Sequence, residues 1–338
     1  MRAIVVDKDY GSVTAEELEI VKAAYAKAGI GLEARHFTTE EEIIEGCGDA
    51  EIILGTGNPP ITRKVMEALP ELRYVQRFGI GVNSIDLEAA AELGVAVLNL
   101  PGFCVRELAD LSLSMIMALI RNTVYYDREI RKGCWPKCTY LMPPDVRDLT
   151  LCLYGFGGAG QELYKVLKGA YGMRVLACDP YLPDHVKSLF SDVEFVDFEA
   201  LIKESDIISI HVGLSPETFH VFNDETFAKM KDSALIINTA RGPIIDQKAL
   251  ARALESGQIR GAGLDTLEKE PIDRDDPLLS MDNVILSAHC GSFGTGAKKT
   301  QLETVCRLIP QAVTEKKLPR RNVANKAVLD KLEGLELI

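Results

Sequence analysis

Three glycines in "LCLYGFGGAGQELYKVL", at positions 155, 157 and 160, separate an apolar run from a segment that carries Leu163, Val166 and Leu167 at helical spacing. A strand that turns into a helix in this way offers bare backbone N–H groups and the positive end of a helix dipole, which suits a phosphate. In the GxGxxG spacing, Gly155 permits the tight turn, Gly157 lets a pyrophosphate approach the backbone, and Gly160 lets the helix pack close to the strand. Asp179 closes the next apolar run, 24 residues past Gly155. A carboxylate there accepts hydrogen bonds from both ribose hydroxyls of NAD, whereas the 2′-phosphate of NADP would meet a like charge with no arginine beside it. The pattern predicts NAD. The competing reading is a plain glycine turn followed by an ordinary strand-ending aspartate.

Three later segments each carry an ionisable group past a predicted strand: "NTARGPIID" with Arg241, "LDTLEKEP" with Glu270 and "SAHCGS" with His289. Taken singly, a loop arginine is usually solvated, Glu268 or Glu270 is surface charge, and a lone histidine is structural. Their joint placement at strand ends favours a site. Cys290 beside His289 raises a cysteine nucleophile as another class, a hydrolase. Adjacent residues on a strand point to opposite faces, which disfavours that pair. The eight cysteines are otherwise scattered, and Cys152 and Cys178 fall within apolar runs, as reduced core residues do. Cys134 and Cys138 in "CWPKC" lack a second ligand pair, so no metal is expected.

The elements that must position these residues alternate along the whole chain. "RAIVVD", a helix capped by Thr14-x-x-Glu17, "GLEARHF", a helix capped by Thr39-x-x-Glu42, "AEIILGTG", a helix from Thr62, "RYVQRFG", a helix from Ile85 to Leu93 and "VAVLN" make one run. Residues 104–122 read as a long buried helix that crosses to a second domain. There "LTLCLYG", "RVLACD", "DIISIHV", "ALIINTA", "GAGLDTL" and "NVILSAH" give six strands with helices between them, including one from Gln247 to Glu255. The predicted class is α/β, two doubly wound parallel-sheet domains. The tail after Gly291 holds one more helix that returns to the first domain.

Composition bounds the partners. The chain of 338 residues is long enough for two cores, and at 47% hydrophobic and 26% charged it reads as globular. A net charge of −12 argues against nucleic acid, and the densest basic run, Lys316 to Arg321, reads as a solvated helix end. No apolar run reaches the roughly 18 residues of a membrane span, and Asp7, Lys8 and Asp9 interrupt the place of a signal peptide. A cytoplasmic protein is expected, with no membrane partner.

With these motifs in place, the sequence resembles the D-2-hydroxyacid dehydrogenases through "RFGIGVNSIDLEAA", "VAVLNLPGFCVRELAD", the glycine fingerprint, "NTARG", "LDTLEKEP" and the His289 segment. The resemblance covers nearly the whole chain. It implies a flavodoxin-like substrate domain at 1–100 plus 291–338 and a Rossmann NAD-binding domain at 101–290. By the same resemblance Arg241 binds the substrate carboxylate, His289 is the acid/base and Glu270 supports it. The chemistry agrees, since a guanidinium grips a carboxylate with two parallel bonds and a carboxylate favours the imidazolium. The resemblance also puts Gly158, Ala159, His211, Val212, Thr239 and Ala240 against the cofactor and Asp265 by the nicotinamide amide. It puts the backbone of Gly79, Ile80 and Gly81 against the substrate carboxylate, and the loop with Thr56 and Gly57 against the far end of a 2-keto or 2-hydroxy acid. The segment 122–148, with Tyr125, Tyr126, Trp135 and Tyr140, resembles the family's dimer-forming arm, which implies a homodimer; an aromatic stripe in a core is the alternative.

Departures from the family pattern are Gly158-Ala159 where Arg-Ile or a similar pair is usual, Gly213 in place of a common proline, and "GVNSID" without the usual aromatic-Asp-Asn order. Thr56, Gly57 and Asn58 bring no cation, and Arg63 lies beyond two prolines, so a short or uncharged 2-keto acid such as glyoxylate, hydroxypyruvate or pyruvate is expected over a phosphorylated one. Related transcriptional corepressors share "PGFCVRELAD"-like sequence and the catalytic trio, which leaves an NAD(H)-sensing interaction protein as the alternative function. Turnover of a 2-keto acid separates the two.

Overall fold

Side-chain alternation along short apolar strands sends successive residues into opposite layers, and the two large sheets are covered on both faces in that way. The structure is a computed structural model that describes residues 1–7, 13–136, 142–332 and 334–338. Cys138 and Tyr140 lie outside the described residues. The chain divides into two compact units, Met1–Phe103 with Thr295–Ile338, and Cys104–Gly294. The first break falls a few residues past the sequence-based position because Leu100 and Phe103 pack into the first unit's core.

The first unit runs β1 (Arg2–Val5), α1 (Ala15–Lys27), β2 (Gly31–Ala34), α2 (Glu40–Cys47), β3 (Ile52–Gly55), α3 (Arg63–Ala68), β4 (Tyr74–Arg77), α4 (Leu87–Glu92) and β5 (Ala96–Leu98). All five strands are parallel, in the flavodoxin-like order β2-β1-β3-β4-β5. On β1, Ala3 and Val5 enter a core with Tyr25 and Ile309, while Ile4, with Val6 just past the strand, enters another with Ile43 and Val65. Thr14 and Thr39 form complete capping boxes with Glu17 and Glu42, which explains where α1 and α2 begin. The expected start of α4 at Ile85 is corrected: Asp86 caps that helix by accepting from Ala89 N at 2.9 Å, and Ile85 bridges to Ile61. The helix Thr295–Thr314 belongs to this unit, tied to α1 by Lys298–Glu17 at 2.9 Å. The basic run after it is not a helix end. Lys316 takes a left-handed φ of 58°, and Lys317–Leu318 forms a short strand with Leu318 buried.

The second unit opens on α5 (Val105–Ile120) and α6 (Thr123–Arg131), then β6 (Thr150–Tyr154), α7 (Gly158–Tyr171), β7 (Arg174–Cys178), α8 (Asp184–Lys187), β8 (Glu194–Phe195), α9 (Phe198–Glu204), β9 (Ile207–Ile210), α10 (Asp224–Phe227), β10 (Leu235–Asn238), α11 (Gln247–Glu255), β11 (Gly261–Leu264) and β12 (Val284–Leu286). Its sheet is parallel in the order β12-β11-β10-β9-β6-β7-β8. The order reverses between β6 and β9, the switch point at which open α/β sheets bind ligands beyond the strand C-termini. Cys152 and Tyr154 of β6 face a core with Phe222 and Leu250, and Leu151 and Leu153 face one with Ile116 and Leu163. Two expectations are corrected. The helix read as a crossing between domains, α5, lies wholly within the second unit. A seventh strand, β8, joins the predicted six at the edge; two residues leave no alternation to detect.

Candidate active site

The C-termini of β6, β7 and β9 build the first half of the site. Gly155 leaves β6 at φ +94°, and a Cβ there would come within 2.8 Å of the His211 backbone beyond β9. A Cβ on Gly160 would come within 2.7 Å of the Gly155 carbonyl oxygen, so α7 starts closer to β6 than any side chain allows. A Cβ on Gly157, which caps α7, would meet nothing within 4 Å, which leaves open space at the helix N-terminus. Asp179 follows β7 and accepts from Phe156 N at 2.9 Å and Tyr181 N at 3.1 Å, each oxygen keeping a second lone pair. These features fit the pyrophosphate and ribose of a dinucleotide. Gly158 has its own cause: a Cβ would come within 2.9 Å of Val105 Cγ1, so the departure from the family pattern accompanies close packing of α7 on α5. Ala159 is half-buried in the first turn of α7.

Of the other expected cofactor residues, Thr239 and Asp265 are buried and His211, Val212 and Ala240 are half-buried. Thr239 is buried with its hydroxyl 3.0 Å from Ser112 Oγ. The Ala240 N–H is taken by Asn238 Oδ1 at 3.0 Å. His211 Nε2 lies 2.9 Å from Ser209 Oγ, and burial brings the imidazole down to about 4, so it is neutral. Val212 has a methyl group against Gly155. Asp265, almost wholly buried, accepts from Ser287 Oγ at 2.5 Å, Cys290 N at 2.8 Å and Gly291 N at 2.9 Å. Its carboxylate therefore fastens the His289 loop to the end of β11.

Past β10, β11 and β12, neighbours in the sheet, stand Arg241, Glu270 and His289. The loop of Arg241 is held by Asn238 Nδ2, which donates to the Arg241 carbonyl at 2.9 Å. The segment "SAHC" is not strand: β12 stops at Leu286, and His289 takes a left-handed φ of 51° with its N–H donating to the Asp265 carbonyl at 2.8 Å. The strand argument against a Cys290–His289 pair therefore does not apply. Instead, His289 Nδ1 lies 2.7 Å from Glu270 Oε2, while Glu270 Oε1 accepts from Leu267 N at 2.9 Å.

The electrostatics follow from this geometry. The hydrogen bond to Glu270 raises His289 above the usual imidazole range; burial works against it, the Glu270 and Asp265 charges support it, and Arg241 opposes it. Burial alone would raise Glu270, but hydrogen bonds from His289 and Leu267 and the charges of His289 and Arg241 hold it below the ordinary carboxylate range. Burial lowers Arg241, against the charge of Glu270. A carboxylate accepting at Nδ1 fixes the proton on that nitrogen and leaves Nε2 as the one that titrates.

In the first unit, the loop after β4 turns its carbonyls inward: Gly79 O accepts from Leu100 N at 3.1 Å, Ile80 O from Asn99 Nδ2 at 2.8 Å and Gly81 O from Arg77 Nε at 2.9 Å. Among the described residues, the N–H groups of Gly79, Ile80 and Gly81 have no acceptor. The loop after β3 is held by Asp7, which is buried and accepts from Thr56 N. Arg77, also buried, lies against Gly57, within 3.4 Å of where a Cβ would be. Sequence reasoning missed Asp7 and Arg77, since nothing in the sequence brings the ends of β1 and β4 to the same loop.

A Rossmann sheet with a glycine cradle at its switch point and a His-carboxylate pair beside an arginine defines a nicotinamide-dependent dehydrogenase. Residues 113–291 match the family described as D-isomer specific 2-hydroxyacid dehydrogenase, NAD binding domain. Over 271 residues the chain is 38% identical to a glyoxylate reductase of Korarchaeum cryptofilum, covering 79% of this chain and 81% of the relative. It is also 38% identical over 262 residues to a D-3-phosphoglycerate dehydrogenase of Methanocaldococcus jannaschii, covering 77% of this chain and 49% of the relative. The crystal structure of a D-lactate dehydrogenase from Aquifex aeolicus, complexed with NAD and lactic acid, superposes with a TM-score of 0.80 at 25% identity, covering 93% of this chain and 96% of that one. The chain belongs to the D-isomer-specific 2-hydroxyacid dehydrogenase family and is an NAD-dependent enzyme of that family.

Proposed function

We propose that the chain interconverts a short D-2-hydroxy acid and its 2-keto acid, with Arg241 as carboxylate clamp, His289 as acid/base and Glu270 as its support. The observation that carries this reading is the 2.7 Å contact between His289 and Glu270 within reach of the Arg241 charge. When bound, NAD supplies or accepts the hydride. His289 Nε2 then donates a proton to the carbonyl oxygen in reduction and takes it from the hydroxyl in oxidation. Arg241 orients the acid by its planar fork and polarises the adjacent carbonyl. Glu270 stabilises the imidazolium and holds its tautomer. The cradle of Gly155, Gly157 and Gly160 takes the pyrophosphate and Asp179 the ribose. The first unit serves as substrate domain: the free N–H groups of Gly79, Ile80 and Gly81 suit a carboxylate, and Thr56 and Gly57 meet the distal end of the acid.

The distal end favours a neutral group. Thr56 N is occupied by Asp7, and the neighbouring cation, Arg77, is buried where its charge acts on the Asp7 carboxylate. Among the described residues a phosphate there meets no dedicated cation and forfeits about 1.5–3 kcal/mol per missing charged bond, enough for a tenfold or larger bias. Steady-state kcat/KM for hydroxypyruvate and for its phosphate ester, measured side by side with NADH, is expected to favour hydroxypyruvate. A higher value for the ester rejects the proposal and points to Arg77 as the cation. No turnover of any 2-keto acid would return the sensor reading. The enzyme acts as a cytoplasmic homodimer through the α6 arm, where Ile130 and Trp135 are exposed.

A further inference from the structure

Two residues before Glu270, Glu268 takes part in a second histidine-carboxylate pair, through His220 Nε2. Its other oxygen accepts from Gln247 N at 3.1 Å, and its own N–H donates to Gln247 Oε1 at 3.1 Å. Glu268 is thus bound at backbone and side chain by the first residue of α11 and by His220. The histidine is fixed in turn: its N–H donates to the Pro243 carbonyl at 2.9 Å, its carbonyl accepts from Asn223 Nδ2 at 3.0 Å, and its ring stacks on Phe219 at 3.9 Å. Beneath the same peptide, a Cβ on Gly242 would fall 1.9 Å from the Leu267 carbonyl carbon, so the Arg241 turn supports this backbone directly. The loop then folds back, with Leu267 N donating to Glu270.

We propose that Glu268, together with His220 and Gln247, is a positioning residue that holds the Leu267–Glu270 loop so that the Glu270 carboxylate stays against His289. The proposal rests on the reading of Glu270 and His289 given above. Glu268 touches no reacting atom; it acts through the loop. A charge-assisted contact weakens steeply with distance, so a loosened loop releases part of the grip of Glu270 on the imidazolium. The charged groups that face His289 are Glu270, Asp265 and Arg241. Asp265 is held by Ser287, Cys290 and Gly291, and the Arg241 carbonyl by Asn238, none of which depends on Glu268. Lys269, in the same loop, is engaged by Asp273. A change at Glu268 therefore reaches His289 chiefly by way of Glu270, the Arg241 turn that packs on the same peptide through Gly242 being kept in place by Asn238.

The test is the pH dependence of kcat/KM for hydroxypyruvate reduction in Glu268→Ala, Glu268→Gln, His220→Ala and His289→Gln, with NADH binding and thermal unfolding measured on each. In Glu268→Ala the inflection at which activity is lost with rising pH moves down by on the order of half a pH unit, while the NADH Kd stays within about twofold. Glu268→Gln keeps the wild-type inflection, because an amide of the same shape can accept from Gln247 N and still reach the His220 ring. His220→Ala moves the inflection in the same direction by less, and decides the matter if Glu268→Ala does not fold. An unmoved inflection in the folded alanine variants overturns the clamp even where the melting temperature falls. Full activity in His289→Gln overturns the underlying acid/base assignment instead.

Discussion

At the scale of single residues, the contact between His289 and Glu270 makes a signed prediction. The folded protein favours protonated His289, so its pKa stands above the ordinary imidazole value. With His289 in the proposed acid/base role, reduction uses the protonated form: kcat/KM for a 2-keto acid is expected to be highest at pH below that raised pKa and to fall as pH rises through it, with the opposite limb for oxidation of the 2-hydroxy acid. The same shift contributes stability that is fully present below the unfolded value and lost as pH rises through the folded one. His289→Gln removes the proposed proton donor and is expected to lower turnover by roughly 10²–10⁴ with NADH binding nearly intact. Rapid-mixing kinetics with fluorescence-detected NADH binding check this; wild-type turnover would sink the assignment.

At the scale of elements, the approach of α7 to β6 is the feature most exposed to a single atom. Gly160→Ala places a Cβ 2.7 Å from the Gly155 carbonyl oxygen, and that neighbour is backbone, not a mobile side-chain end. The start of α7 must shift away from the strand, taking its N–H groups with it. NADH binding is expected to weaken by about tenfold or more, equivalent to about 1.4 kcal/mol. Fluorescence titration measures it, and an unchanged Kd would mean that the cradle does not hold the cofactor. The glycine spacing was legible at this scale because Gly160 meets the Gly155 carbonyl five residues back, a local demand, whereas the demand on Gly155 itself comes from distant His211. The capping boxes at Thr14 and Thr39 were legible for the same reason. The end of β12 was not: "SAHC" has the composition of a continuing strand, and its turn depends on Asp265, distant in sequence, collecting Cys290 N and Gly291 N.

At the scale of the whole molecule, the prediction concerns association. Each chain is 37.1 kDa, and its single tryptophan, Trp135, is 85% exposed just past α6, with Ile130 48% exposed on the helix. Large apolar side chains left in water favour a partner surface. Sedimentation equilibrium is expected to give about twice the chain mass, and Trp135→Asp to shift the population toward the single chain. A 37.1 kDa species at every concentration would count against the homodimer.

The amino-acid sequence by itself determined the α/β class, the alternation of the elements, the glycine cradle and the strand-end positions of Arg241, Glu270 and His289. Those features rest on steric and periodic rules that act within a few residues, and the trio gained its meaning from joint resemblance to a family. Only the tertiary structure decided that β10, β11 and β12 lie side by side, which makes neighbours of residues from three separate loops. It also decided that Asp265 fastens the His289 loop, that Thr239 turns toward Ser112, that Asp7 and Arg77 underlie the Thr56–Gly57 loop, and that Glu268, though exposed, is held by His220 and Gln247. Each of these depends on a hydrogen bond or contact between distant segments of the chain. Strand order and register create such contacts, and no local pattern of residues encodes them.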